Sequence, residues 1–166
     1  VRFLADGMLG RLTRWLRMMG HDVEYASRLD DAELIQRAGA EGRTLLTRDV
    51  ELYRRAAARG LDALLVGGGS EAERLAELAE RFHLRLEIDV AVSRCPKCNT
   101  MIRPAPPEEV ADRVPRGTAS RYREFWECPG CGQVYWRGSH WRQIERTLRE
   151  AERALESHGK ASSPPR

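Results

Sequence analysis

Two Cys-x2-Cys pairs, Cys95-Pro96-Lys97-Cys98 and Cys128-Pro129-Gly130-Cys131, hold every cysteine of this 166-residue chain. Each pair presents two thiolates from one tight turn, and two such turns close a tetrahedral four-sulfur site suited to Zn2+. All four coordination positions are then filled by protein, so one structural zinc per chain is the expectation. Pro after the first cysteine of each pair and Gly132 after the second pair suit the turn. The alternative is two disulfides or a redox Cys-x-x-Cys. No cysteine is left over and no stretch resembles a signal peptide, which favours zinc and a cytoplasmic location. Between Cys98 and Cys128 lie 29 residues, more than the roughly 15–20 of a compact ribbon. The loop must therefore carry an extension, and four prolines between 104 and 120 make it irregular or only briefly helical.

The net charge of +3 hides an asymmetry, −2 over residues 1–92 and +5 over 93–166. A basic module beside an acid-containing domain suits a nucleic-acid partner, because Arg-rich surfaces gain affinity by displacing counterions from phosphates. Genome composition explains abundant Arg equally well, so charge alone decides nothing. No apolar run reaches membrane-spanning length.

Residues 1–92 alternate strand and helix signals. Apolar runs at 2–5, 23–26, 44–47 and 63–66 read as strands. Helical periodicity covers 8–19, 31–41, 50–59 and 71–82, with Gly20, Gly42 and Gly60 closing the first three helices. This rhythm predicts an α/β fold with a central parallel sheet between helical layers. Residues 84–92 read as a last strand. The expected organisation is an α/β domain over 1–92, a zinc-ribbon module over 93–138, an amphipathic helix over 139–156 and a disordered tail over 157–166. On the first helix, Leu9, Leu12, Leu16 and Met19 form the apolar face. Arg11, Arg14 and Arg17 are expected opposite, exposed to solvent.

Open parallel sheets bind ligands beyond the carboxyl ends of their strands. Asp6 ends the first strand, Asp30 and Asp31 open the second helix, and Asp49 follows the third strand, with Glu51 two residues on. Carboxylates converging there suit Mg2+ or Mn2+, which supply an activated water and charge stabilisation for phosphodiester hydrolysis. Asp30, Asp31 and Asp49 fit helix caps about equally well, and Glu51 fits a solvated first-turn acid. Asp6 has no such ordinary role in a strand. His21 and His140 read as packing or capping residues.

Phe3-Leu4-Ala5-Asp6, Gly20-His21-Asp22-Val23, Asp30-Asp31-x-Glu33-Leu34 and Arg43-Thr44-Leu45-Leu46-Thr47-Arg48-Asp49, together with the Cys pairs, resemble the Mut7-C ribonuclease domain over about residues 2–146. That resemblance implies a PIN-like three-layer nuclease fold with a C-terminal zinc ribbon. It implies that Asp6, Asp31 and Asp49 are the acidic ligands, with Asp30 a substitute for Asp31, Glu51 an auxiliary acid and Thr47 the hydroxyl orienting its neighbour. The expected activity is Mg2+- or Mn2+-dependent RNA hydrolysis, leaving a 5'-phosphate and a 3'-hydroxyl. Arg11, Arg14, Arg17 and Arg48 would engage phosphates, and tRNA or another structured RNA is among the candidate partners. The competing reading is a non-catalytic RNA-binding or ribosome-associated adaptor, in which the ribbon and Arg-rich helices bind backbone and the acids are structural.

Overall fold

A computed structural model describes residues 1–161. Four strands, β1 (Arg2–Asp6), β2 (Asp22–Ala26), β3 (Thr44–Thr47) and β4 (Ala63–Leu65), form a wholly parallel sheet in the order β2-β1-β3-β4. Helices α1 (Gly10–Met18), α2 (Asp31–Glu41), α3 (Val50–Ala58) and α4 (Glu71–Phe82) alternate with them. The expected elements are thus present, with ends shifted by a residue or two.

Alternation along the strands sorts the core into two layers. Phe3, Ala5, Val23 and Leu46 face α1 and α4, where Leu12, Leu16, Leu75 and Leu78 are buried. Leu4, Ala26 and Leu45 face α2 and α3 through Leu34, Ile35, Leu52 and Ala56. Helix α2 starts in a capping box, Asp30 accepting from Glu33 N–H and Glu33 accepting from Asp30 N–H, and stops at Gly42 in the left-handed region.

Residues 84–92 are not a strand. Leu84, Leu86 and Ile88 still reach the α1/α4 core, but the backbone lies outside the sheet and closes in turns held by Asp89. Apolar alternation here reflects packing under a helical layer, which needs no strand pairing.

The cysteine module is a three-stranded antiparallel sheet, β5 (Arg103–Ala105), β6 (Phe125–Glu127) and β7 (Val134–Tyr135). The long loop expected from the cysteine spacing holds α5 (Pro107–Val110), a 3-10 turn and α6 (Thr118–Arg121). It covers a small core of Ala105, Val110, Phe125 and Val134.

Helix α7 (Trp141–Ala161) then returns to the first domain, laying Ile144, Leu148, Ala151 and Leu155 on the α1/α4 core. It continues past residue 156, into the segment expected to be disordered; residues 162–166 lie outside the described residues. Arg137 sits 5.2 Å from the Trp126 ring and 5.3 Å from Trp141, joining the module to the start of α7. The His140 carbonyl accepts from Gln143 and Ile144 N–H in the first turn, and the His140 side chain is exposed.

Candidate active site and metal centre

Chain order reverses between β1 and β3, so the crevice of this sheet opens at their carboxyl ends. Asp6 ends β1 with the parity of Leu4, which turns it toward the α2/α3 layer. It is 6% exposed, accepts from Met8 N–H at 3.0 Å and from the Thr47 hydroxyl, and has no ion-pair partner among the described residues. Thr47, fully buried, accepts in turn from Asp49 N–H at 2.9 Å. One relay therefore ties the ends of β1 and β3: Asp49 N–H to Thr47 hydroxyl to Asp6 carboxylate.

Asp49 caps α3, its Oδ1 accepting from Glu51 N–H at 2.8 Å and Leu52 N–H at 3.1 Å. No partner engages its Oδ2 among the described residues. Asp31 opens α2 and pairs with Arg55 of α3 at 3.4 Å. Glu51 pairs with Arg54 on the exposed face of α3 at 3.3 Å, and Asp30 is occupied by its capping box. Asp6, Thr47 and Asp49 are thus brought into one network, while Asp31 joins a neighbouring ion pair. Among the described residues only the cysteines form a group of three or more His, Cys, Asp or Glu with ligand atoms all within 4.8 Å.

Glu71 was not singled out by the sequence. It opens α4 after β4 and accepts from the Trp15 indole at 3.2 Å, with Arg11 at 3.7 Å. Its place at the start of the fourth βα unit, like Asp49 in the third, was the available signal.

The arginines divide. Arg11 and Arg14 are exposed on α1. Arg48 is half-buried, and its guanidinium reaches the Gly67 and Gly68 carbonyls at 3.5 and 3.4 Å. Arg17 does not share the exposed face. It is 7% exposed and donates from Nε to Val23 O at 2.9 Å and from Nη1 to Pro96 O at 3.0 Å. Burial lowers its pKa against the opposing pull of Glu24 and nearby thiols. Helical spacing put Arg17 on the polar side of α1, but the cysteine module docks on that flank and covers it.

The docking continues along β2. Asn99, φ 74°, accepts from Val23 N–H at 3.1 Å through Oδ1 and donates from Nδ2 to Asp22 at 2.8 Å. Val23 lies on an edge strand, and Arg17 and Asn99 satisfy its outward carbonyl and N–H. Asp22 also accepts from Arg43 at 2.9 Å, and Arg43 donates from Nε to Glu41 at 2.6 Å. Burial pushes the Asp22 carboxyl up, but hydrogen bonds from Arg43 and Asn99 outweigh it and hold it well below the usual carboxylate range.

Within the module the two knuckles repeat one geometry. Asn99 N–H donates to Cys95 O and Gly132 N–H to Cys128 O, both at 2.9 Å, with positive φ at Asn99 and Gly132. None of the four cysteines is disulfide-bonded, and Sγ–Sγ separations include 3.3 Å for Cys98–Cys128 and 3.7 Å for Cys95–Cys131. The Thr100 hydroxyl, the largest influence, helps lower the Cys98 thiol to about 6, while burial pushes Cys128 up to about 12. Four sulfurs converging without a disulfide fit a soft, tetrahedral metal ion.

The family profile described as Mut7-C RNAse domain matches residues 1–148. No curated protein and no solved structure matches the chain. No helix among the described residues is long and apolar enough to cross a membrane.

Proposed function

The chain belongs to the Mut7-C RNAse domain family, and on that premise we propose that it hydrolyses RNA at the carboxyl ends of β1 and β3 with Mg2+ or Mn2+. The family is one of ribonuclease domains, which makes RNA the substrate. The observation that carries the catalytic reading is Asp6, a buried carboxylate held by a threonine relay and matched by no cation among the described residues. Such a group costs folding free energy unless a bound cation compensates it.

The donor set fits a hard divalent ion. Each Asp6 oxygen accepts one hydrogen bond and keeps lone-pair capacity, and Asp49 Oδ2 is unengaged among the described residues. Mg2+ typically uses one or two carboxylates and retains several waters, so the acids need not crowd together in the free protein. Asp6 and Asp49, with Asp31, would hold the ion, which when bound supplies charge neutralisation and an acidified water. Thr47 keeps the Asp6 carboxylate oriented. Arg11, Arg14 and Arg48 bind phosphates on either side of the scissile bond. The four cysteines hold a structural Zn2+ that shapes the module.

The test is cleavage of a mixed pool of single-stranded and structured RNAs with added Mg2+ or Mn2+. Cleavage leaving 5'-phosphates, and lost in Asp6→Asn, supports the proposal. RNA bound but never cut under either ion would favour the adaptor.

A further inference from the structure

A cleft of about 690 Å3 separates α1 from the cysteine module. Arg11, Arg14 and Arg17 border it from α1, Tyr25 from β2, and Lys97 and Tyr135 from the two halves of the module; no carboxylate lines it among the described residues. Its size falls within the roughly 300–1,000 Å3 of ligand clefts. Arg14 and Lys97 are exposed and have no hydrogen-bond or ion-pair partner among the described residues. Arg11 has Glu71 beside it and Arg17 is engaged with backbone carbonyls, so Arg14 and Lys97, on opposite sides of a cleft with no acid in its lining, are the cations open to a polyanion.

The two tyrosines add a second kind of contact. Tyr25 is 38% exposed, and its hydroxyl donates to Gly7 O at 2.7 Å, one residue beyond Asp6. Gly10 leaves room for that ring, since a Cβ there would lie 3.3 Å from the Tyr25 oxygen. Tyr135 is held by its own hydroxyl, 2.9 Å from Cys95 Sγ. Both tyrosines are thus anchored by their hydroxyls and line the cleft. Rigid aromatic surface beside cations is what unpaired bases on a phosphate backbone recognise. A duplex keeps its bases stacked inside and presents only backbone and grooves.

We propose that this cleft is the track of a single RNA strand leading from the carboxyl ends of β1 and β3. Its phosphates lie on Arg14 and Lys97, and its bases lie against Tyr25 and Tyr135. The inference rests on the ribonuclease reading and adds to it the substrate class and a substrate-binding role for the cysteine module. Tyr25 marks the junction, because its hydroxyl holds the Gly7 carbonyl at the turn separating Asp6 from α1.

The test uses the zinc-loaded full chain without Mg2+ or Mn2+, and fluorescence anisotropy with a labelled oligouridylate and a duplex of equal length. The single strand is expected to bind at least about tenfold more tightly than the duplex. Lys97→Glu and Arg14→Glu should each weaken it roughly tenfold and reduce the salt slope by about one. Tyr25→Leu should weaken it about tenfold, and Tyr25→Phe, which keeps the stacking ring, should restore most of the affinity. Should Lys97→Glu lose zinc, Lys97→Gln reads the same contact. Equal affinity for duplex, or parental affinity in both the Lys97 and Tyr25→Leu variants, overturns the track. Because binding needs no turnover, an inactive protein leaves this test intact. An active nuclease indifferent to Lys97 and Tyr25 would sink the track and spare the ribonuclease reading.

Discussion

At the amino end of the parallel sheet, buried Arg43 is bonded to Asp22, Glu41 and the Phe3 carbonyl, and Asn99 and Arg2 complete the Asp22 shell. At the carboxyl end, Asp6 is equally buried but meets only a hydroxyl and a backbone N–H among the described residues. The first network compensates each charge with an opposite one and docks the cysteine module on β2. The second leaves negative charge uncompensated where ligands enter an open α/β sheet. Polar burial at the amino end thus serves stability, and on the proposed function the uncompensated carboxyl end serves chemistry.

Removing metal is expected to give the largest effect, on the stability side of that contrast. Structural zinc sites contribute about 10–16 kcal/mol at neutral pH. Cys95→Ser should therefore abolish stoichiometric zinc and melt residues 93–138, read by elemental analysis and hydrogen exchange. Exchange should also rise at Val23, which loses its Asn99 partner, while Leu45 and Leu46 at the sheet centre remain protected.

Asp22→Asn tests the amino-end network itself. Breaking its bonds to Arg43 should cost about 2–3 kcal/mol in chemical denaturation. The pH signature has a definite sign. The folded Asp22 carboxyl titrates below its unfolded value of about 3.9, so its contribution is complete above roughly pH 4 and is lost as pH falls below it. The Asn variant should lose less stability than the parent as pH falls from about 4 toward about 2.

Thr47→Val probes the carboxyl end, keeping shape while removing the hydroxyl between Asp6 and Asp49. Stability should fall by about 1–2 kcal/mol, and cleavage by roughly 10- to 100-fold, as when a group orienting a metal ligand is lost. Thr47→Ser should recover much of the activity. Smallest of all is Asp30→Ala, which loses a cap worth about 1 kcal/mol. It should leave cleavage near parental, separating Asp30 from its neighbour Asp31.

Periodicity placed the four strands and four helices of the first domain because each is built from local apolar spacing, and glycines mark the ends of the first three helices; α4 instead ends at His83, in the left-handed region. The four cysteines were legible for a similar reason, since the knuckle turn needs only neighbours in sequence. Arg17 was not. Its role depends on Pro96, which reaches it only through the docking of the module, and a helical wheel carries no information about what covers its polar flank. Asn99 escaped for the same reason, although its place matches Gly132 in the other knuckle. Of the acids, Asp6 stood out by its unsuitability in a strand, and the structure buries it with no ion-pair partner among the described residues. Asp30, Asp31 and Asp49 all occupy helix starts, where a cap and a ligand look alike in sequence.

Asp6 carries the central claim, and Asp6→Asn tests it most directly. Asparagine nearly preserves volume, its amide oxygen can still accept from Met8 N–H and its NH2 can donate to the Thr47 hydroxyl oxygen, so the fold should survive while the charge is lost. Cleavage rate with saturating Mn2+, measured beside RNA affinity, should fall by about 10²–10³-fold or more with affinity little changed. An Asp6→Asn protein, equally pure, that cuts RNA as fast as the parent would contradict the account.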